Sequence, residues 1–352
     1  MPAGQVELPS FKDTIVRRLK HVALGVRRER GGDVANARPA PDGWHVADEA
    51  IMGTAIHVEL WCEDAARGRT AVGAVMDEMH RIDAAMSPHK PDSELSRVNR
   101  DAGRGAVALG REMFELVGRS LDFSRLSDGA FDITFASLGN LYDYRHGVQP
   151  DDAGFERGRA AIGYRHLQLD PRARTIRFLR PGMRIDLGGF AKGHAVDNAA
   201  RILRDLGIRH AIVSAGGDSR IIGDRRGRPW TIGIRDPRRE GEVVAVLPLV
   251  DVAVSTSGDY ERYFERDGVR HHHVIDPRSG RSPSTIRSVT VIAADGLTTE
   301  ALAKCVFVMG LDAGLRLVES QPDVDAVVVD ADGRLHYSSG LLDRSPTAAD
   351  RR

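Results

Sequence analysis

One stretch of the sequence decides how the chain is interpreted, and it reads Ile185-Asp186-Leu187-Gly188-Gly189-Phe190-Ala191-Lys192-Gly193. Its composition predicts an apolar strand over residues 182–187 with a carboxylate near its end, a glycine turn, and a helix over residues 190–206 with a lysine in its first turn. Glycine lets the backbone approach a ligand closely, and the free N–H groups of a helix N-terminus attract an anion. The stretch therefore predicts a site for a phosphate-bearing cofactor.

The same stretch has a simpler interpretation. Its glycine spacing fits neither a Walker A loop nor the Gly-x-Gly-x-x-Gly order of dinucleotide-binding folds. Taken alone, it is equally well explained as a glycine-rich turn between a strand and a helix, with a lysine on the surface. The rest of the chain has to decide between the two.

Composition places the chain among ordinary globular proteins. Its 352 residues are 41% hydrophobic and 28% charged, and the formal net charge is zero. A balanced charge gives no basic surface of the kind that binds nucleic acid, so no nucleic-acid partner is expected. The two cysteines, Cys62 and Cys305, are isolated, which argues against a zinc ribbon and against a disulfide framework.

Three segments are predicted along the chain: a flexible basic N-terminal extension over residues 1–43, one folded domain over 44–341, and a polar tail over 342–352. The apolar stretch at 22–26 is too short for the core of a signal peptide, and no cysteine follows it to carry a lipid anchor. No run approaches the roughly 20 apolar residues that cross a bilayer. We therefore expect a cytoplasmic protein without a membrane span.

Hydrophobic periodicity predicts both strands and helices. The predicted strands cover residues 55–61, 211–214, 230–234, 243–250, 288–293 and 326–329, and the predicted helices cover 70–85, 94–99, 110–126 and 298–309 in addition to 190–206. A short polar connection between 230–234 and 243–250 favours antiparallel pairing of these two strands. The predicted fold class is α+β, with a mixed, largely antiparallel sheet packed with helices.

Several further segments place small residues, acids and hydroxyls at turns, which is typical of ligand sites. In order and spacing they resemble the ApbE family, the FAD:protein FMN transferases, over roughly residues 51–309. The matching segments are Met52-Gly53-Thr54, Ser93-Glu94-Leu95-Ser96, Gly129-Ala130-Phe131-Asp132-Ile133-Thr134, Asp186-Leu187-Gly188-Gly189-Phe190-Ala191-Lys192-Gly193, Ala215-Gly216-Gly217-Asp218, Thr256-Ser257-Gly258-Asp259-Tyr260 and His273-Val274-Ile275-Asp276-Pro277. The resemblance implies the ApbE fold, which is T-fold-like.

The resemblance also implies an activity. Such enzymes split FAD at its pyrophosphate, transfer FMN to a Thr or Ser hydroxyl of an acceptor flavoprotein, and release AMP. The pyrophosphate charge has to be held by a divalent metal or by cations, and the acceptor hydroxyl has to lose a proton as it attacks phosphorus. Two alternatives stay open: a non-catalytic FAD-binding protein, and an FAD pyrophosphatase that gives FMN and AMP because water replaces the acceptor.

By the same resemblance, a set of residues binds FAD in the flavin and adenosine cleft: Met52, His89, Ala130, Phe131, Asp132, Asp186, Lys192 and Ile275. The implied metal is Mg²⁺, held by the backbone carbonyl of Gly189 and by Glu300. His89 departs from the tyrosine or tryptophan usual in the family. Imidazole stacks on less area than those rings, so we expect a weaker or pH-sensitive affinity for FAD.

Three consecutive histidines, His271, His272 and His273, suggest a metal site at first sight. On a strand, however, the first and third share one face while the second points away, so the three side chains cannot converge on one ion. Of the three, His273 falls on the family motif. We hypothesise that it lies near the reacting phosphate, as a base or as a hydrogen-bond donor.

Lys304 is the main departure from the family pattern. The implied magnesium site has an aspartate and, four residues later, a threonine; here Glu300 and Lys304 stand at those positions. An ammonium group has no acceptor and cannot ligate a cation, but at a spacing of four it can form an ion pair with Glu300. Either Lys304 points to solvent and water completes the metal shell, or its ammonium partly replaces the metal in neutralising the pyrophosphate. We favour the second interpretation, because this helix packs beside the cofactor in the family.

Overall fold

The computed structural model describes residues 43–342 and, for the backbone alone, the short strand Arg38–Pro39. The remainder of the predicted N-terminal extension, and all but the first residue of the predicted polar tail, lie outside the described residues. Among the helices described, none is long and apolar enough to cross a membrane.

The described part of the chain contains sixteen strands. They are β1 (Arg38–Pro39), β2 (Trp44–Ile51), β3 (Thr54–Trp61), β4 (Val107–Ala108), β5 (Leu167–Asp170), β6 (Thr175–Phe178), β7 (Ala211–Ala215), β8 (Asp218–Ile222), β9 (Trp230–Arg235), β10 (Val243–Leu249), β11 (Ala253–Gly258), β12 (Tyr263–Arg266), β13 (Val269–His272), β14 (Ile286–Ala293), β15 (Asp325–Asp330) and β16 (Leu335–Tyr337). The eight α-helices described are α1 (Ala65–Met86), α2 (Glu94–Asp101), α3 (Arg111–Leu126), α4 (Ala136–Gly139), α5 (Asp152–Ala161), α6 (Ala191–Asp205), α7 (Gly296–Met309) and α8 (Leu311–Glu319).

A nine-stranded sheet in the order β1-β2-β3-β7-β8-β11-β14-β15-β16 forms the centre of the domain. Every neighbouring pair in it is antiparallel. Antiparallel neighbours can be joined by two-residue turns, and this sheet contains two such turns, Met52-Gly53 between β2 and β3 and Gly216-Gly217 between β7 and β8. The predicted fold class, α+β with a largely antiparallel sheet, is confirmed.

Helix α6 packs against both α1 and α7, and all three helices pack against one face of this sheet. Their apolar residues join those of the strands in the main hydrophobic core, in which Ile56, Met79 and Phe307 are fully buried. The β9–β10 hairpin covers the opposite face, where Trp230 and Leu249 belong to a second, smaller core. Burial of the sheet on both faces fixes the positions of its turns, and the candidate site lies at those turns.

The predicted strand over 182–187 is wrong. This segment forms no strand; its backbone polar groups pair with side chains and, through the N–H of Asp186, with the backbone carbonyl oxygen of Ile133 at 3.0 Å. The side-chain amide of Asn99 donates to the carbonyl of Ile185 at 2.9 Å and accepts from its N–H at 2.8 Å, and Oγ of Ser137 accepts from the N–H of Arg184 at 3.0 Å. An apolar segment can therefore be buried without joining a sheet when side chains satisfy its backbone. The predicted helix that follows is confirmed as α6, over Ala191–Asp205.

Candidate active site

Two helix N-termini meet at the candidate site. A β-carbon placed on Gly193, in the first turn of α6, would lie 2.2 Å from the carbonyl oxygen of Gly296, at the start of α7. Asp197 of α6 accepts hydrogen bonds from the N–H groups of Gly296 and Leu297 at 2.7 and 3.0 Å. The missing side chain at Gly193 thus lets the two helices approach at backbone distance, and this contact sets the position of Glu300 one turn further along α7.

Glu300 occupies the N-terminus of α6. Its Oε2 accepts a hydrogen bond from the N–H of Gly193 at 2.7 Å, and its Oε1 accepts from both Lys192 and Lys304. The side chain is fully buried. The sequence suggested that this helix terminus offers free N–H groups to an anionic cofactor. In the structure, the carboxylate of Glu300 accepts from one of these N–H groups. A negative charge at this position is stabilised by the partial positive charge of the helix N-terminus.

Lys192 is fully engaged within the protein. Its Nζ contacts the carbonyl oxygen of Gly188 at 3.2 Å, Oδ2 of Asp218 at 2.8 Å, and Oε1 of Glu300. Burial alone lowers the pKa of Lys192, but the charges of Asp218 and Glu300 outweigh it and raise the pKa above that of a free lysine. An ammonium group has three N–H donors, so these three acceptors use the full donor capacity of Lys192.

Lys304 is bound less completely. Its ammonium donates to Oε1 of Glu300 at 3.3 Å, which is the ion pair expected from their spacing. Within the described part of the chain no second hydrogen-bond acceptor is assigned to it, so N–H donors remain for a ligand. The side chain is only 17% exposed, and its stem lies against Gly189, where a β-carbon would be 3.6 Å from Cε. A solvent-facing Lys304 is therefore contradicted.

The donor set around Glu300 does not fit Mg²⁺. This ion requires a near-octahedral shell of oxygen ligands at about 2.0–2.1 Å. Both oxygens of Glu300 already accept hydrogen bonds, one of them from two ammonium groups. Lys304 adds donors and a positive charge where an oxygen ligand was implied. Within residues 43–342, no group of three or more His, Cys, Asp or Glu side chains is arranged to hold a metal ion.

Asp186 faces the same site from the loop before α6. Its Oδ1 accepts a hydrogen bond from the N–H of Gly188 at 2.5 Å, which folds the turn back on itself. Burial raises the pKa of this carboxyl, and the Gly188 hydrogen bond and the charges of His89, Lys192 and Arg262 oppose the rise. His89 is exposed on the loop after α1, and its charge acts on Asp186, so the two predicted cofactor-binding residues belong to one site.

His273 follows β13 directly. Its N–H donates to the carbonyl oxygen of Arg262 at 3.0 Å, and its ring Nδ1 is buried without a hydrogen-bond partner. Burial, together with the positive charges of Lys304, Arg262 and Lys192, lowers the pKa of His273 to about 3. The imidazole is therefore neutral near pH 7 and lies among the cations of the site.

The neighbouring histidines have separate environments. His271 stacks on Phe264 with ring centroids 5.1 Å apart, whereas the ring of His272 is buried, contacts the carbonyl oxygen of Pro283 at 2.8 Å, and packs edge-on against Phe307. The rings of His271 and His272 therefore have different neighbours, and the prediction that the triplet does not form one metal site stays a prediction.

Four of the remaining predicted cofactor-binding residues lie inside the protein. Ala130, Phe131, Asp132 and Ile275 are buried. Both carboxylate oxygens of Asp132 accept hydrogen bonds within the protein, from Thr134 and from the N–H of Tyr164, so its side chain shapes the loop. Phe131 packs against Phe190, directly before α6, with centroids 5.7 Å apart.

Met52 has an unusual backbone. It adopts φ of 55° in the turn between β2 and β3, a left-handed conformation that is uncommon for residues other than glycine. Its side chain is partly buried against the main core. The adjacent β7–β8 turn lies close by, since a β-carbon on Gly216 would be 2.5 Å from Oγ1 of Thr54.

Two residues of the site, Asp218 and Arg262, were not identified as candidates from the sequence. Asp218, the partner of Lys192, belongs to a matched segment but was not singled out. Arg262 donates to the carbonyl oxygen of Gly53 at 3.1 Å and connects the hairpin before His273 to the β2–β3 turn. Asp218 was signalled by its place after two glycines, whereas no local pattern distinguishes Arg262 from the chain's other arginines.

Comparison with known proteins shows which family the chain resembles over most of its length. The family model described as the ApbE family matches residues 52–328. An FAD:protein FMN transferase from Treponema pallidum is 31% identical over 315 residues, which covers 84% of this chain and 87% of the relative. One from Vibrio cholerae is 34% identical over 279 residues, covering 77% and 82%.

Solved structures agree as well. The crystal structure of the ApbE protein from Thermotoga maritima matches with a TM-score of 0.79 and 32% identity, covering 86% of this chain and 100% of that one. The flavin transferase ApbE from Vibrio cholerae matches with a TM-score of 0.76 and 29% identity, covering 86% and 99%. The family model spans every residue named in the site above, from Met52 to Lys304, and the chain therefore belongs to the ApbE family.

Proposed function

We propose that this chain is an FAD:protein FMN transferase, which moves FMN from FAD to a Thr or Ser hydroxyl of an acceptor flavoprotein and releases AMP. The observation that carries the proposal is the cluster at the N-termini of α6 and α7, where Lys192 and Lys304 share the carboxylate of Glu300 and lie close enough to Asp186 or His273 for their charges to act on these groups. The curated relatives that match over most of the chain carry this activity in their names.

The reaction needs no oxidant or reductant. The acceptor hydroxyl oxygen forms a bond to the phosphorus on the FMN side of the pyrophosphate, and the bond from that phosphorus to the bridging oxygen breaks, so that the bridging oxygen stays with AMP. AMP leaves with that electron pair, and the hydroxyl proton passes to a base and then to solvent. Charge develops on the phosphate oxygens, so catalysis depends on positioning and on nearby cations.

His273 is proposed to act at the acceptor hydroxyl, as a hydrogen-bond acceptor or base. Its Nδ1 is buried without a partner, and a buried nitrogen of this kind gains from a ligand that donates to it. The cations nearby contribute to the low pKa of His273 in the free protein. Because a bound pyrophosphate brings negative charge, it raises that pKa and makes the imidazole a better proton acceptor.

Arg262 is proposed to contact the phosphate or flavin from the open side of the site. Its side chain is exposed and its guanidinium is fixed on the Gly53 carbonyl, close enough to Asp186 and His273 to act on the pKa of each. Met52 and His89 are proposed to border the flavin, and Ala130, Phe131, Asp132 and Ile275 to shape the wall behind it. The cytoplasmic location expected from the sequence stays a prediction.

The test incubates the protein with FAD and with an acceptor domain that one of the curated relatives flavinylates. That relative, under the same conditions, is the positive control. A fluorescent, covalently labelled acceptor together with AMP supports the transferase; the acceptor with its target threonine changed to alanine should stay unlabelled. AMP and free FMN without acceptor would indicate a pyrophosphatase. Intact FAD that stays bound, while the positive control transfers FMN, would indicate a flavin-binding protein and contradict the proposal.

A further inference from the structure

The two lysines of the site differ in what they can offer a ligand. Lys192 lies in the motif that the sequence connected with cofactor binding, yet its Nζ contacts three protein oxygens, those of Gly188, Asp218 and Glu300. Of the three residues that accept from Lys192, Lys304 contacts Glu300. The ammonium with unused donors is therefore Lys304.

Among the four charged side chains that contact one another around Glu300, charge is balanced before any ligand binds. Two ammonium groups, of Lys192 and Lys304, face two buried carboxylates, of Asp218 and Glu300. Glu300 in addition accepts the Gly193 N–H. Without Lys304 the cluster would carry one excess negative charge, which would repel a pyrophosphate unless a cation were added.

From these contacts we propose that the ammonium of Lys304 binds the FAD pyrophosphate in place of a divalent metal ion, while Lys192 holds the site together. The proposal rests on the FMN transfer proposed above. Lys304 is placed for this role, because its stem crosses Gly189, the residue whose carbonyl was the other implied metal ligand. It supplies one positive charge and hydrogen-bond donors, which stabilise phosphate oxygens without a metal.

The first experiment measures FAD affinity by flavin fluorescence, in EDTA and in MgCl₂, for the wild-type protein and for Lys304→Met, Lys304→Arg and Lys304→Thr. The wild-type affinity should be the same in both buffers. Lys304→Met should lose about tenfold or more in both, since a charge-assisted hydrogen bond is removed, and Lys304→Arg should retain most of the affinity. Lys304→Thr should bind weakly in EDTA and recover in MgCl₂.

Calorimetric titration with MgCl₂ gives a readout that does not depend on activity. We expect heat of Mg²⁺ binding from the FAD complex of Lys304→Thr and none from that of the wild-type protein. Mg²⁺ binding by the wild-type complex, or a gain in its FAD affinity as large as that of Lys304→Thr, would overturn the proposal.

AMP release in the presence of acceptor separates this proposal from the proposed function. Transfer by the wild-type protein in EDTA, with Lys304→Thr reduced about 100-fold until MgCl₂ is added, supports both. Wild-type transfer that requires MgCl₂ would contradict the role of Lys304 and leave the transferase intact. No transfer under any condition would contradict the transferase, and FAD affinities would still decide the role of Lys304.

Urea unfolding distinguishes the two lysines. Lys192→Met should lower the free energy of unfolding far more than Lys304→Met, because it leaves buried carboxylates without their main counter-charge. Equal destabilisation by the two variants would assign Lys304 a structural role and contradict the proposal.

Discussion

Oε2 of Glu300 lies 2.7 Å from the backbone nitrogen of Gly193 and accepts its hydrogen bond, so a side chain of α7 closes the N-terminus of α6. Oε1 of the same carboxylate accepts from Lys192 and Lys304. One buried acid is thus the common acceptor of a helix terminus and two ammonium groups, and several expectations follow from this arrangement.

Glu300→Ala should destabilise the protein by about 3–5 kcal/mol, since it leaves buried positive charge and a buried N–H without their acceptor. Urea unfolding at pH 7 measures the loss. The matched control is Glu115→Ala, which breaks an exposed ion pair with Arg111 on α3; it should leave the free energy of unfolding nearly unchanged. A similar, small effect of both variants would contradict a structural role for Glu300.

Gly193→Ala should push α6 and α7 apart, because the added methyl group would lie 2.2 Å from the Gly296 carbonyl oxygen. Overpacking of this kind costs about 1–3 kcal/mol or more, and the displaced carboxylate of Glu300 should weaken FAD binding as well. Gly118→Ala is the control, since nothing lies within 4 Å of its added carbon in α3; it should stabilise the helix by about 1 kcal/mol. Thermal unfolding of both variants is the measurement, and an unchanged Gly193→Ala melting temperature would refute the close contact.

The pH profile of kcat/KM for FAD should show no acidic limb from His273 between pH 5 and pH 8. This parameter reports ionisations in the free enzyme, and the pKa of His273 is lowered to about 3 there. The neutral form therefore prevails throughout that range. A limb near pH 6.5 that disappears in His273→Asn would show an ordinary histidine at this position instead.

Acid stability should depend on Glu112, which receives two hydrogen bonds from Arg81 and contacts Nε2 of His194 at 2.7 Å. The Arg81 hydrogen bonds, opposed by burial and assisted by His194, lower the pKa of Glu112 from 4.5 to about 2. A lowered pKa in the folded state gives stability that is complete above the unfolded value and is lost as the pH falls from 4.5 towards 2.

With 31% of the Glu112 side chain exposed, solvent screening limits this contribution to about 1–2 kcal/mol. Glu112→Gln should lower the free energy of unfolding by that amount at pH 6 and by much less at pH 2. Urea unfolding at the two pH values tests this, and an equal loss at both would mean that the ionisation of Glu112 is not involved.

The helices and strands that could be predicted from sequence are those in which burial alone determines the order of apolar and polar residues. Helix α7 and strands β14 and β15 were located within a few residues, because long apolar periods arise only from packing on both sides. Segment 182–187 alternates polar residues with the apolar Met183, Ile185 and Leu187, as a strand would, but its backbone pairs with the side chains of Asn99 and Ser137. Those partners are distant in the chain, and no local pattern records them.

The candidate site shows the same division. The motif around Asp186 and Lys192 located the site, and the i, i+4 spacing gave the Glu300–Lys304 pair. Which lysine is left free for a ligand was not predictable, because it depends on Asp218 and Glu300 reaching Lys192 from other elements. Hydrogen-bond capacity is decided by tertiary contacts, whereas residue type is visible in the sequence.

The three contacts of Lys192 also bear on the order in which the parts of the chain fold. They join its own loop to β8 and to a glutamate 108 residues further along the chain. Contacts between such distant segments form only after the intervening chain has been organised. A folding intermediate that lacks α7 would therefore have no flavin site, and cofactor binding would begin only once the C-terminal part of the sheet is in place.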